Sequence, residues 1–303
     1  MEPSPTPLTR KQLGKLLDRY RVTDGRRFRL KDHDPADTAE HMISHDQALH
    51  QLAADVERLT VLQEKLFAQD SWALLAAFQA LDAAGKDGTI KHVMSGVNPA
   101  GVQVTSFKTP GPEELAHDFL WRCTRALPER GRIGIFNRSH YEEVLVVRVH
   151  PEILARQRLP AARLGRKIWD QRLTAITGFE RYLARQGTVV LKFFLHLSPE
   201  EQKRRFLARL DEPAKHWKFS AADLAERDHW DAYQAAYQAA IAATAKPWAP
   251  WFVVPADHKW FTHMIVGAAL VEALERLDLR LPAPDPAAAA ALAAAREKLE
   301  AEI

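Results

Sequence analysis

The chain is poor in the features that would place it outside the ordinary globular class. Nowhere do its 303 residues assemble the ~20 consecutive apolar residues that a membrane-spanning helix needs, so a membrane partner is not expected. Cysteine is nearly absent, and the single Cys123 cannot close an internal disulfide. The opening stretch MEPSPTPLTRKQLGKLLDRY lacks the apolar core of a secretory leader, and a cytoplasmic location is the resulting expectation. An excess of one charge is also missing. With 42 Lys and Arg against 39 Asp and Glu, the formal charge is only +3. That is too little for an overall field implying a nucleic-acid partner, so any anion site must arise from local clustering. The 13 histidines show no HExxH spacing, and a structural zinc site is not expected.

What is present is a globular composition, 47% hydrophobic and 27% charged, at a length that suits two domains or one α/β domain with helical additions. The first part of the chain is polar with scattered Leu and reads as an extended entry segment, followed by a helix over HDQALHQLAADVERLTVLQEKLF. From Trp72 onward short apolar runs alternate with amphipathic stretches: ALLAAFQAL, VQVTSF, RIGIFNR, TVVLKFFLHL and WFVVPA. This alternation predicts an α/β fold with a mostly parallel sheet covered by helices. The first run suits a helix by propensity, since Leu and Ala are better helix formers than strand formers; its length and its sequel favour a buried strand. Ser198-Pro199-Glu200-Glu201 has the cap, the first-turn proline and the acidic residue that open a helix. The end, PAPDPAAAAALAAAREKLEAEI, reads as a proline-punctuated linker and an alanine-rich terminal helix.

Three segments carry chemistry. In Asp82-Ala83-Ala84-Gly85-Lys86-Asp87-Gly88, an apolar run is followed by glycines, a lysine and an amphipathic stretch. That is the layout in which backbone N–H groups and a helix start surround phosphate oxygens. Against the strict phosphate-loop pattern, Ala80 stands in place of the first glycine and Asp87 in place of the Ser or Thr. A turn needing Gly85 and Gly88 for backbone reasons alone stays open as an alternative. The second segment, RIGIFNRSHYEEV, delivers Asn137, Arg138, Glu142 and Glu143 to the carboxyl end of a strand, where open α/β sheets bind ligands. There a carboxylate or amide could hold a metal or its water and Arg138 could fork onto a phosphate, or the segment is an ordinary charged turn. In the third, EEQKRRFLARLDEPAKHWKFS, Arg205 and Arg209 share a helix face while Arg204 points about 100° away. Lys215 and Lys218 follow a prolyl break. A solvated helix face and a hinged basic lid are both compatible with that run.

Together LDAAGKDGTIKHVMSGVNPAGVQVTSFKTP, EELAHDFLWR, LPERGRIGIFNRSHYEEVLVVRVHPE and DEPAKHWKFS resemble the family-2 polyphosphate kinases, over about residues 57–279. NRS-x-YEEVLVVRVHPE resembles most the class III subgroup, which accepts both AMP and ADP. The resemblance implies a P-loop kinase fold, thymidylate-kinase-like and three-layered, with a helical lid at about 199–220. Flanking it are an N-terminal extension over 1–56 and a C-terminal appendage over 280–303. It also implies inorganic polyphosphate as donor, AMP, ADP and ATP as nucleotides, and Mg2+ as cofactor with Mn2+ as the substitute ion. Assembly into a homo-oligomer, dimer or tetramer, is implied as well.

Residue by residue, the resemblance assigns catalysis to Asp82, Lys86 and Arg138. Phosphate or polyphosphate binding falls to Ala83, Ala84, Gly85, Lys86, Asp87 and Gly88, with Arg204, Arg205, Arg209, Lys215 and Lys218 of the lid. Asp82, Phe107, Lys108, Arg122, Asn137 and Arg138 would hold the nucleotide, Phe107 against an adenine ring. Metal binding is expected among Asp82, Asp87, Glu142 and Glu143. The chain departs from the family's habit at His140, where an aromatic is frequent. Two other classes stand beside this reading: a conventional ATP-dependent nucleoside monophosphate kinase, and a binding module without turnover.

Overall fold

The computed structural model of the chain describes residues 6–302. Its centre is a 6-stranded sheet in the order β1-β6-β5-β2-β4-β3. The strands are β1 (Arg21–Val22), β2 (Ala73–Ala80), β3 (Val102–Ser106), β4 (Ile133–Asn137), β5 (Thr188–His196) and β6 (Trp251–Pro255). Strands β2 to β6 run parallel, and β1 adds an antiparallel edge to β6. The mostly parallel α/β sheet expected from the alternation of segments is thus the observed one. β2 carries the Leu- and Ala-rich run as a strand. Paired with β4 on one side and β5 on the other, and buried from Ala73 to Gln79, it lies where burial on both faces overrides helix propensity.

Alternate residues of the strands serve the two faces. Leu74, Ala76 and Phe78 point with Ile133, Ile135 and Phe193 into a core shared with helices His45–Gln69 and Lys259–Glu275. Leu75, Ala77, Phe136 and Val190 point the other way, onto Cys123, Phe179 and Leu183. Phe194, Trp251 and Val253 pack there against Tyr233 and Tyr237 of helix Trp230–Thr244. The result is the three-layer arrangement, in which each fully buried Leu, Val or Phe contributes about 1.5–3 kcal/mol by leaving water. No helix among the described residues is long and apolar enough to cross a membrane.

The N-terminal part differs from the expected extended entry. Helix Arg10–Asp18 begins at a capping box built on Thr9 and Gln12. Leu16 and Leu17 are fully buried in the main core with Tyr20, a stripe that Leu13, Leu16, Leu17 and Tyr20 already spell at helical spacing. The expected boundary between residues 56 and 57 falls inside the 25-residue helix His45–Gln69. Residues 6–56 therefore do not separate as an extension, since they supply an edge strand and core side chains, and residues 1–5 of the expected extension lie outside the described residues. At the other end, Leu279 is the last buried apolar residue among the described ones, and helix Pro286–Glu300 buries none of its residues.

The connections place the functional edge. From β2 the chain runs out to the edge strand β3, returns to β4 beside β2, then crosses to β5 on β2's other flank. The carboxyl end of β2 is therefore a topological switch point, the crevice where open α/β sheets receive ligands.

Candidate active site

The segment after β2 forms a tight loop entering helix Lys86–Val93. Left-handed backbone occurs at Ala83 (φ 64°) and Gly85 (φ 101°), not at Ala80. The missing glycine at position 80 therefore costs nothing, because that residue ends a strand in ordinary extended geometry. Two side chains from helix Pro199–Asp211 hold the loop from outside. Gln202 Nε2 donates to the Asp82 carbonyl at 2.9 Å. Arg205 Nη1 donates to the carbonyls of Ala83 at 3.0 Å and Ala84 at 2.9 Å, and its Nη2 reaches the carbonyls of Ala256 and Asp257. Carbonyl and following N–H point opposite ways across a trans peptide. The grip on the Ala84 carbonyl thus directs the Gly85 N–H away from this helix.

Lys86 folds back under the loop, its Nζ donating to the Ala80 carbonyl at 3.0 Å. Burial lowers its pKa, opposed by the Asp82 carboxylate and reinforced by the Arg138 cation. Arg138 stands at φ 63° just past β4, its N–H on the Phe78 carbonyl of β2 at 3.0 Å. Its guanidinium lies 3.7 Å from Asp82 Oδ1. Asn137 Nδ2 donates to Asp87 Oδ1 at 2.5 Å, so the second strand end and the loop meet as their sequence positions suggested.

The four expected metal carboxylates do not converge. Among the described residues, no three His, Cys, Asp or Glu side chains form a metal cage. Glu143 is buried and held by Arg172 at 3.1 Å and Gln157 at 2.6 Å, which removes it as a ligand. Glu142 accepts from Gln79 at 2.9 Å, and burial raises its pKa against the pull of Arg138. Asp82 and Asp87 remain beside the loop. That pair fits magnesium, which is commonly held by one or two carboxylates together with substrate phosphate oxygens and water.

The lid cations divide. Arg205 is 6% exposed and bonded to Glu201 and four carbonyls, so the expected contact with polyphosphate is corrected to a clamp on the loop. Arg204 is exposed and paired with Glu201, and Lys215 is exposed and paired with Glu212. Arg209 reaches Asp223 loosely at 3.5 Å and the Lys218 carbonyl at 3.3 Å. Lys218 is exposed beside Trp217, its Nζ 5.0 Å from the ring centre. On the other flank Phe107 is also corrected. It is 7% exposed, edge-on to Phe136 and covered by the Arg122 guanidinium at 5.3 Å, leaving no face for a base. Arg122 is buried and donates to the Lys108 carbonyl at 2.8 Å, while Lys108 itself is exposed.

Several residues were not singled out in the sequence. Asp223, in helix Ala221–Arg227, has its pKa raised by burial and then by the nearby charge of Asp82, which places it at the same site. Arg227 braces Gln202 at 2.6 Å. Beneath the floor, Glu180 accepts from Tyr141 at 2.7 Å and from Lys192 at 2.6 Å, and contacts His140 Nε2 at 3.2 Å. This fixes the turn His140–Glu143 from below and explains the histidine at position 140 as one partner of a buried carboxylate. A lysine within the apolar run TVVLKFFLHL was the one available signal, since a lysine in a fully buried strand requires a partner.

The description of one family model, polyphosphate kinase 2, matches residues 42–281. An ADP-polyphosphate phosphotransferase of Rhodopseudomonas palustris is 52% identical over 249 residues, 82% of this chain and 86% of that protein. An AMP/ADP-polyphosphate phosphotransferase of Meiothermus ruber is 46% identical over 271 residues, 89% of this chain and 97% of that protein. The crystal structure of polyphosphate kinase 2 from Arthrobacter aurescens TC1 superposes with a TM-score of 0.83 at 42% identity, covering 91% of this chain and 95% of that one. The matched span takes in the loop, the second strand end and the lid together, and on these matches the chain belongs to the polyphosphate kinase 2 family.

Proposed function

We propose that the protein transfers the terminal phosphoryl group of inorganic polyphosphate, reversibly, to AMP and to ADP, giving ADP and ATP. The observation that carries this reading is the meeting of Lys86, Arg138 and the clamped loop at the switch point of the sheet, with Asp82 and Asp87 beside them. The names of the two relatives agree with it. Phosphoryl transfer asks little covalent work of a protein; alignment and charge neutralisation supply most of the rate.

Lys86 places a point charge under the transferring group, and Arg138 offers a fork to its oxygens. Their present partners are replaceable: the Arg138 contact with Asp82 is long at 3.7 Å, and a phosphate oxygen competes well with a backbone carbonyl for Lys86. The acceptor oxygen already carries charge, so no general base is needed. Asp82 and Asp87 would hold Mg2+, or Mn2+ in its place, which when bound supplies charge neutralisation across the phosphate oxygens. Arg209 closes from the lid, exchanging Asp223 for phosphate. The same reading includes a cytoplasmic location and self-association as a dimer or tetramer.

Incubating the protein with magnesium, polyphosphate and AMP in the absence of ATP tests the proposal. ADP appears first and ATP follows. Formation of ADP only when ATP is supplied as donor would make the protein a conventional nucleoside monophosphate kinase.

A further inference from the structure

The lid does not hold most of the unpaired positive charge near the site. Arg204 and Arg205 meet Glu201, Lys215 meets Glu212, and Arg209 meets Asp223. From the end of helix Pro151–Arg156 to the start of helix Ile168–Arg185 the balance is reversed. Between Glu152 and Asp170 the chain carries Arg156, Arg158, Arg163, Arg166 and Lys167 and no acidic residue. All five are exposed. Among the described residues none of them makes an ion pair, whereas their neighbours His150, Glu143 and Arg172 are all paired. Five like charges crowded on one segment repel one another, and no ion pair among the described residues offsets that.

This strip is rooted in the site at two points. Gln157, in its midst, donates to Glu143 Oε2 at 2.6 Å and accepts from Arg172, and Glu143 adjoins Glu142 on the turn below the loop. Just upstream, His150 Nε2 lies 3.0 Å from Glu226 on helix Ala221–Arg227, the helix that carries Asp223. The strip is therefore tied at its start to the turn below the loop and, through His150, to the helix that follows the lid.

We infer that the segment 156–167 binds the remote part of the polyphosphate chain, beyond the residue that reacts; this inference rests on polyphosphate being the donor. Its chemistry suits a featureless polyanion. Arginine forks accept phosphate oxygens in any register, and neutralising them releases condensed counterions, so that affinity grows with the number of phosphates in reach and falls with salt. Short chains occupy the loop and Lys86 without reaching the strip.

The test is a triple charge reversal, Arg158→Glu, Arg163→Glu and Arg166→Glu, assayed with ADP against long-chain polyphosphate and against the shortest chain that the wild type accepts. All three side chains are exposed, and circular dichroism together with short-chain turnover verifies folding. The expected result is a rise of about tenfold in KM for the long chain, and a shallower dependence of that KM on salt. KM for the short chain and for ADP should stay within about twofold, as fits a contact remote from the reacting group. An equal rise for both chain lengths, or an unchanged KM for the long chain, overturns the inference. So does a change of oligomeric state with KM unmoved, which would make the strip an interface between copies. Failure of the wild type to use polyphosphate of any length would instead remove the underlying donor assignment.

Discussion

The guanidinium of Arg205 donates to the carbonyl oxygen of Ala83 at 3.0 Å, and Ala83 is the loop residue held at φ 64° without being glycine. Left-handed backbone at a residue bearing a Cβ costs about 1–2 kcal/mol, so it persists only where the surroundings impose it. Here the imposing group is an arginine that reaches across from the lid helix. The lid's base and the phosphate loop are thereby one mechanical unit.

Arg205→Ala and Arg209→Ala, alike in sequence, should separate in their effects. Losing Arg205 leaves buried carbonyls unpartnered, at a cost of about 2–4 kcal/mol, and lowers Tm by about 3–6 °C. Arg209, loosely paired, should change Tm by no more than about 2 °C while raising KM for polyphosphate, more so at high salt. Thermal melts and steady-state kinetics check both; equal melting temperatures would contradict the clamp.

Lys86→Met should remove turnover by about 100-fold or more and leave the fold at least as stable as before. Burial lowers the Lys86 pKa below its ordinary 10.5. The unfolded chain then binds more protons than the folded one across the interval below 10.5, and the charged lysine weighs against folding at neutral pH. The thioether removes that penalty. A clear drop in Tm would mean that Lys86 is a structural member of the loop.

Much of this arrangement was legible in the sequence, and its limits were physical. The strands announced themselves because β4, β5 and β6 are continuous apolar runs, as buried parallel strands must be. The loop and the Asn137–Arg138 strand end were legible from their position after such runs. Helical spacing put Arg205 and Arg209 on one face, but spacing cannot tell the residue nearer the helix start, over the loop, from the one a turn further out. The resemblance offered Phe107 to an adenine ring, and sequence gives no view of Phe136 and Arg122 closing around it. Asp223 escaped because its role comes from proximity to Asp82, 141 positions away in the chain. The N-terminal helix could have been found: Leu13, Leu16, Leu17 and Tyr20 fall on one stripe after a Thr-x-x-Gln capping box.

Glu142 gives the site a pH signature. Burial raises its carboxyl above the ordinary 4.5, so the folded state keeps the proton to higher pH than the unfolded chain. The stability this provides is complete below 4.5 and is lost as pH rises through the raised folded value. Glu142→Gln cannot lose a proton. Its Tm should exceed that of the wild type by a margin that widens as pH rises above 4.5 toward the raised folded value. Parallel Tm–pH curves would contradict the assignment.

The buried Lys192–Glu180 pair under the turn His140–Glu143 should behave as a charge that needs its counterpart. Glu180→Gln strands a buried ammonium and should cost about 3–5 kcal/mol. Glu180→Leu combined with Lys192→Met removes both charges and should cost less than that single change. A double variant less stable than Glu180→Gln, by chemical denaturation, would show that packing rather than pairing dominates there.

The most direct test of the central claim follows the phosphoryl group itself. Polyphosphate labelled with radioactive phosphorus is mixed with ADP and magnesium, without ATP, for the wild type and for Lys86→Ala. The label should appear in the terminal phosphate of ATP with the wild type and not with the variant, both proteins remaining folded. Unlabelled ATP formed by disproportionation of ADP, or transfer that persists in Lys86→Ala, would contradict polyphosphate as the donor at this loop.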